Sequence, residues 1–194
     1  NWLLSRIEVP ELYKSKAGFY DAQAKLTFRL NVKNDLLVNF YNSNDKFQLH
    51  NDTTYNYKNT IGSLTLRHRF NTDLKSTTSL ICSLFKYEIS NPNSADYSFK
   101  LTHNLADISL INDFEYFTKN RMKYVFGGTF NFYSVNPGER IVLNNSNITP
   151  VSSANDRALE YGLYAGTEYN VSGNLKIEGG IRLSGLISFD DGKK

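Results

Sequence analysis

Three histidines are the residues best suited to hold a metal ion or move a proton: His50, His68 and His103. Their separations match neither the HxH nor the HExxH spacing that brings two imidazoles to one metal. A single cysteine, Cys82, excludes an internal disulfide and a multi-cysteine metal site. The sequence therefore predicts no metal and no other cofactor.

Two pairs of carboxylates could in principle divide the roles of acid and base. Asp113 and Glu115 would share one face of a strand, and so would Glu160 and Glu168. General acid–base catalysis needs carboxylates in different environments, whereas acids along a strand more often pair with Arg and Lys on neighbouring strands. We therefore predict that the protein is not an enzyme.

Neither phosphate loops nor nucleic-acid binding are indicated. The glycine pairs Gly127-Gly128 and Gly179-Gly180 lie within predicted strands and are not followed by helices, as a phosphate loop would be. The net charge is only +3, so no basic surface of the kind that binds nucleic acid through counterion release is expected. We predict no nucleic-acid partner.

The elements that would carry these residues are strands, because apolar and polar residues alternate with a period of two. Between residues 22 and 32, for example, Ala22, Leu26 and Phe28 alternate with Lys25 and Arg29. The same pattern predicts further strands over about 36–41, 61–70, 76–89, 107–117, 123–132, 160–171 and 175–184. The orientation of the strand over 76–89 stays open, because both of its faces carry apolar residues.

The connections alternate in length. Short turns centre on Asn34, Thr72, Asn120 and Gly173, whereas the links at about 43–59, 90–101 and 134–157 are long and polar. The predicted fold is thus all-β, an antiparallel up-and-down meander of about eight or nine strands, in a single domain over residues 1–194. A further strand could lie near Trp2, before a loop at Pro10.

This pattern is typical of a bacterial outer-membrane β-barrel or of part of a larger one, with short turns at one rim and long loops at the other. No stretch reaches the roughly 20 apolar residues of a membrane-spanning helix. The apolar face would contact outer-membrane lipid, and aromatic residues near strand ends could form interfacial girdles: Tyr20, Phe70, Tyr116, Phe132, Tyr133 and Tyr169. The opposite face could line a watery lumen with Lys25, Arg29, Arg67, Arg69, Glu115, Glu168, Glu178 and Arg182.

Several segments resemble one family. They are YDAQAKL (20–26), ND (34–35), FYNSNDKF (40–47), NTIGSL (59–64), SLFKY (83–87), FGGTF (126–130), LEYGLY (159–164) and GIRL (180–183). In order and spacing they are similar to barrel segments of the TonB-dependent outer-membrane transporters of Bacteroidetes. The resemblance spans nearly the whole chain, although each motif alone is only a strand or turn pattern.

The resemblance implies a receptor that takes up a nutrient, which could be a siderophore, cobalamin, a glycan or a peptide. Its partners would be a plug domain and TonB, supplied through a longer parent protein. Family members have an amino-terminal plug inside a barrel of about 22 strands. This sequence shows neither the plug nor the remaining strands, and residues 190–194 (DDGKK) carry no terminal aromatic, so we expect an internal fragment of the barrel.

Two alternatives remain open. The chain could be a self-contained small outer-membrane β-barrel with a structural or adhesive role. It could also be a soluble lipocalin-like barrel that binds an apolar ligand, in which case the apolar side chains would meet in a dry interior. In the transporter, substrate could first contact the predicted loops at residues 56–58 and 144–147.

Overall fold

The computed structural model describes residues 15–48, 53–92, 97–143 and 146–189. It contains nine strands: β1 (Lys16–Asn31), β2 (Asn34–Gln48), β3 (Thr54–Arg69), β4 (Leu74–Asn91), β5 (Phe99–Phe117), β6 (Met122–Val142), β7 (Val151–Ser152), β8 (Asp156–Ser172) and β9 (Leu175–Phe189). The described residues contain no helix long and apolar enough to cross a membrane. The proposed additional strand near Trp2 lies outside the described residues.

All the strands belong to one antiparallel sheet. Its order is β1-β2-β3-β4-β5-β6-β8-β9, and the two-residue β7 pairs with β6 beside this path. Each long strand thus pairs with its neighbour along the chain, which confirms the predicted all-β meander. Across the described residues, β1 pairs with β2 alone and β9 with β8 alone, so the outer edges of β1 and β9 are not joined to each other.

The register aligns apolar residues of neighbouring strands into rows on one side of the sheet. One row of directly opposed residues crosses it from β1 to β8: Leu26, Val38, Leu64, Leu80, Leu110, Phe130 and Tyr161. Because side chains alternate along a strand, aligning one such row fixes the side on which every other residue lies. We call the side that carries this row the apolar face and the opposite side the polar face.

The orientation of β4, which the sequence left open, follows from its neighbours. Leu80 lies opposite Leu64 and Leu110, so the even-numbered residues of this strand belong to the apolar face. Ile81 lies opposite Ser63 and Ser109 and belongs to the polar face. The neighbouring strands therefore determine which face of β4 is the apolar one, which the composition of β4 alone could not.

The sheet has no dry interior. Among the described residues, Leu37 is the one buried apolar side chain, with 6% of its surface exposed. On the apolar face, Leu26 is 56% exposed, Phe28 47%, Phe126 42% and Leu163 55%. A lipocalin-like barrel would enclose these side chains, so the soluble alternative is wrong. The described residues leave this hydrophobic face exposed.

Three of the four short turns lie where the sequence predicted them, whereas the first is at 32–33, because Asn34 is already the first residue of β2. Asparagine side chains close two of the four turns. The carboxamide oxygen of Asn31 accepts a hydrogen bond from the backbone N–H of Lys33 at 2.9 Å. That of Asn71 accepts from the backbone N–H groups of Asp73 (2.9 Å) and Leu74 (2.8 Å). Such bonds replace those that a backbone turn would make, which explains why Asn is favoured here.

The long links are shorter than predicted. Strands β2 and β3 are separated by residues 49–53, β4 and β5 by 92–98, and β6 and β8 by 143–155, which include β7. The prediction ended each strand where the apolar alternation fades. Beyond that point both faces carry polar residues, yet the backbone continues to pair, and the strands reach 15 to 21 residues. A membrane crossing needs about 9 to 11, so these strands extend well beyond it.

Candidate functional site

The eight residues predicted to line a lumen all lie on the polar face. Lys25 and Arg29 are on β1, Arg67 and Arg69 on β3, and Glu115 on β5. Glu168 lies on β8, and Glu178 and Arg182 lie on β9. The alternation of side chains along each strand explains this common placement. Each of the eight residues lies an odd number of positions from the residue of its strand, or of the neighbouring strand, in the aligned apolar row, so its side chain points to the other side of the sheet. They do not form one cluster: six of them fall into two groups of three, and Lys25 and Arg182 join neither.

The first group is a chain of alternating charges across β5, β6, β8 and β9, which we call the charge ladder. Lys123 lies between Glu115, 3.0 Å away, and Glu168, 3.3 Å away. Lys176 in turn lies 2.8 Å from Glu168 and 2.5 Å from Glu178. Three of the predicted residues are thus joined by two lysines, Lys123 and Lys176.

The second group lies on β1 to β3. Arg29 pairs with Asp35 at 3.7 Å, while Arg67 and Arg69 belong to a recess of about 310 Å³ near the short turns. The recess is lined by Val32, Lys33, Asp35, Arg67, His68, Arg69, Lys75, Ser76, Thr77 and Glu115. Cations outnumber carboxylates in it.

Two of the predicted residues join neither group. Arg182 donates a hydrogen bond to the hydroxyl of Thr129 at 3.4 Å and lies 5.9 Å from the ring centre of Tyr164. Lys25 lies opposite Asn39 on β2. The polar face therefore combines a chain of paired charges, a cationic recess and isolated charges on the two edge strands.

A cavity of about 630 Å³ lies at the opposite end, beside the long links, and we call it the outer cavity. Its lining is largely apolar: Ile89, Tyr97, Phe99, Leu101, His103, Pro137, Gly138, Arg140, Ile148, Val151 and Ser153. Ile89 and Leu101 oppose each other at polar-face positions. The sequence analysis did not identify this site. Apolar residues at positions of the polar face, close to a predicted loop, could have indicated it.

A β-bulge shapes the outer cavity. The register shifts between Thr102 and Asn104, so that Pro137 and Gly138 together oppose His103. Gly138 has a φ of 150°, and a Cβ there would lie 2.9 Å from the His103 ring. The same ring lies 5.9 Å from that of Tyr87, which stacks on Tyr57 at 4.7 Å. The bulge and the aromatic stack together hold the imidazole against the cavity wall.

His68 and Glu160, which the sequence singled out, contact other side chains in the described part of the chain. The described residues include no group of three His, Cys, Asp or Glu that could hold a metal ion, and His50 lies outside them. His68 bonds Asn34 at 2.6 Å. Glu160 accepts a hydrogen bond from the Tyr133 hydroxyl at 2.9 Å. These contacts give the groups structural partners.

Two interpretations of single residues are corrected. Residues 56–58 were expected in a loop, but they belong to β3, where Tyr57 stacks on Tyr87. Residues 144 and 145 of the other predicted loop lie outside the described residues. Tyr133 was expected in an interfacial girdle, yet it opposes Asp107 on the polar face. Its strand position was right, but an odd residue number on β6 places it on the wrong side.

The remaining girdle candidates lie on the apolar face. At the end with the short turns, Phe70 stacks at 6.4 Å on Phe114, which stacks at 5.1 Å on Phe126. Tyr116 and Tyr124 form a further pair at 6.4 Å. Amphipathic aromatic rings at this level are typical of the boundary between lipid and water.

An exposed apolar face, a polar face opposite, short turns at one end and aromatic rings beside them define an outer-membrane β-barrel protein. The family model described as "Opacity family porin protein" matches residues 68–193. The chain belongs to this family of porin proteins, and its location is the bacterial outer membrane.

Among solved structures, the chain is similar to one named "Copper transporter OprC", with a TM-score of 0.72 and 8% sequence identity. The match covers 89% of this chain and 29% of the transporter. At this identity the likeness shows the fold alone, and the chain spans less than a third of the transporter's length. No curated protein matches the chain in sequence.

Proposed function

We propose that the chain forms part of the wall of a TonB-dependent outer-membrane transporter and lines the passage through which a nutrient enters. The observation that carries this proposal is the pair of separate edges, because β1 and β9 do not pair with each other in the described residues. An unpaired strand edge is not tolerated in hydrocarbon. In the membrane each edge must therefore pair with another strand, and further strands in the wall of a wider barrel would supply that pairing.

The similarity to a transporter more than three times as long supports the same interpretation, since the chain corresponds to 29% of that protein. The polar face supports a water-filled passage. On β4, Leu80 and Leu84 of the apolar face are 42% and 50% exposed, while Ile81 and Phe85 of the polar face are less exposed. Side chains crowd on the inner side of a curved sheet, so the polar face is its concave side.

The outer cavity supports a first contact with the nutrient. Its volume of about 630 Å³ lies within the roughly 300–1,000 Å³ of small-molecule sites, and its apolar lining with a few polar groups is typical of them. Release inward would depend on a plug domain in the longer parent protein and on TonB, which would act through that parent. We propose transport without catalysis, because the carboxylates of the charge ladder are occupied by lysines.

A second candidate is a self-contained small barrel with a structural or adhesive role. The family match over residues 68–193 favours it. In that case β1 and β9 would pair with each other and close the sheet.

Cysteine cross-linking in the outer membrane of the native cells distinguishes the two candidates. In a Cys82→Ser background, Leu26→Cys on β1 is combined in turn with Ile177→Cys, Ile181→Cys and Leu183→Cys on β9. The transporter proposal expects no disulfide within the chain at any of these pairs. The control pair Leu26→Cys/Val38→Cys joins opposed residues and must cross-link, because opposed Cβ atoms lie about 4.5–5.5 Å apart. An efficient β1–β9 disulfide would establish the self-contained barrel.

Uptake itself is tested with labelled ferric siderophores, cobalamin, oligosaccharides and peptides in cells with and without TonB. The transporter proposal expects uptake of one of them to require both this protein and TonB. Leu101→Arg, which fills the outer cavity, is expected to abolish that uptake. Leu105→Arg is the control, since it adds the same bulk and charge on β5 outside the cavity. The proposal would be contradicted if cells lacking the protein took up every one of these compounds as well as cells that contain it.

A further inference from the structure

The recess near the short turns carries an excess of positive charge. Lys33, Arg67, Arg69 and Lys75 line it together with two carboxylates, Asp35 and Glu115. With four cations against two anions, the lining cannot neutralise itself. A concave surface lined by one sign of charge concentrates counter-ions of the opposite sign.

Both carboxylates are also engaged with cations outside the recess. Asp35 pairs with Arg29 at 3.7 Å, and Glu115 pairs with Lys123 at 3.0 Å. The excess of positive charge in the recess is therefore larger than the count of four cations against two carboxylates suggests. Within the described residues, none of the four lining cations makes an ion pair.

The strand register pairs Asp35 with Arg67 and Glu115 with Lys75, but it also sets two of the cations against each other. Arg69 and Lys75 lie directly opposite each other on β3 and β4, and like charges in that position destabilise a sheet. Arg67 follows on the same face of β3, two residues away. Lys75 also lies 4.8 Å from the ring centre of Phe117. An anion between these side chains would remove the repulsion.

We propose that this recess binds a soluble anion bearing phosphate groups. Two guanidinium groups on one strand face can each bind phosphate oxygens through paired N–H donors, and the two lysines add point charges. The position, on the polar face beside the short turns, is accessible to a solute in the water-filled passage. It is separate from the outer cavity at the opposite end, so the site does not depend on the identity of the transported nutrient.

The test uses inorganic pyrophosphate as the probe, with the full-length protein in zwitterionic detergent at about 0.15 M salt, which screens diffuse attraction. Binding is followed by titration calorimetry. We expect saturable binding by the wild type and at least roughly tenfold weaker binding by the Arg67→Gln/Arg69→Gln variant. Lys46→Gln/Lys58→Gln is the matched control, because it removes two charges from β2 and β3 far from the recess. It is expected to bind like the wild type.

A second measurement separates loss of binding from loss of folding. Pyrophosphate is expected to raise the urea midpoint of the wild type and of the control but not that of Arg67→Gln/Arg69→Gln. Without pyrophosphate, Arg69→Gln alone is expected to be at least as stable as the wild type, since it removes the repulsion with Lys75.

Three results would overturn the proposal. The first is absence of saturable binding by the wild type, and the second is equal weakening in the control, which would indicate diffuse attraction. The third concerns the source of the phosphate, because an anionic lipid carries the same group. If the arginine substitutions reduced the retention of phosphatidylglycerol in native mass spectrometry but not pyrophosphate binding, the assignment to a soluble anion would be wrong.

Discussion

The ring of Phe126 on β6 stacks on that of Phe114 on β5, with centroids 5.1 Å apart and planes inclined by 10°. Both belong to the apolar face, and Phe114 stacks further on Phe70. This row runs from the turn after β3 to β6, near the short turns, and stiffens the sheet there.

Stacking of Phe114 on Phe126 is expected to contribute energy beyond the area the rings cover. A double-mutant cycle with Phe114→Leu and Phe126→Leu should give a coupling of about 0.5–1.5 kcal/mol in urea unfolding from lipid vesicles. The control cycle uses Leu110→Ala and Phe130→Leu, opposed residues of the same two strands without ring stacking. Equal coupling in both cycles would mean that the aromatic geometry adds nothing.

Substitutions in β4 test which side of the sheet meets lipid. Leu80→Arg places a charge on the apolar face, and we expect it to reduce the free energy of unfolding by about 2–4 kcal/mol if it lies near mid-bilayer. Ile81→Arg is the matched control, because the neighbouring apolar residue lies on the polar face between Ser63 and Ser109. Urea titration of the protein in vesicles measures both. A larger loss for Ile81→Arg would reverse the assignment of the faces.

The charge ladder predicts a dependence on salt. Glu168 contacts both Lys123 and Lys176, so Glu168→Gln should lower the urea midpoint more than Glu178→Gln, whose carboxylate contacts one lysine. The difference from the wild type should shrink as the Debye length falls from roughly 30 Å at 0.01 M to roughly 3 Å at 1 M salt. If Glu168→Gln lowered the urea midpoint by the same amount at every salt concentration, the effect would come from packing and not from charge.

Gly127 is required because of its neighbour across the strands. A Cβ at this position would collide with the backbone carbonyl of Asn112 and lie 2.7 Å from the Tyr164 hydroxyl. Gly127→Ala should therefore cost about 1–3 kcal/mol. Gly62→Ala is the control, since nothing lies within 4 Å of its added Cβ, and it should be neutral or slightly stabilising. Equal stability of the two variants, measured by urea unfolding, would contradict this account.

The sequence by itself determined the fold class, three of the four short turns and the common face of the eight predicted lumen residues. Strand periodicity and turn chemistry are local properties, so they can be read from neighbouring residues such as Leu26 and Lys25, or from Asn31 beside Lys33. The sequence could not orient β4, because both of its faces are apolar. The strands predicted from the sequence also end too early. The ends of the strands are polar on both faces, so apolar and polar residues no longer alternate there, although the backbones still pair.

The tertiary structure alone decided which side chains meet. Lys123 lies between Glu115 and Glu168 because three strands align in one register, and this alignment depends on residues more than forty positions apart. The bulge that brings Gly138 to His103 has the same origin. Each depends on which backbone groups pair across the sheet, and hydrogen bonding between strands, unlike side-chain alternation, is not a property of any single segment.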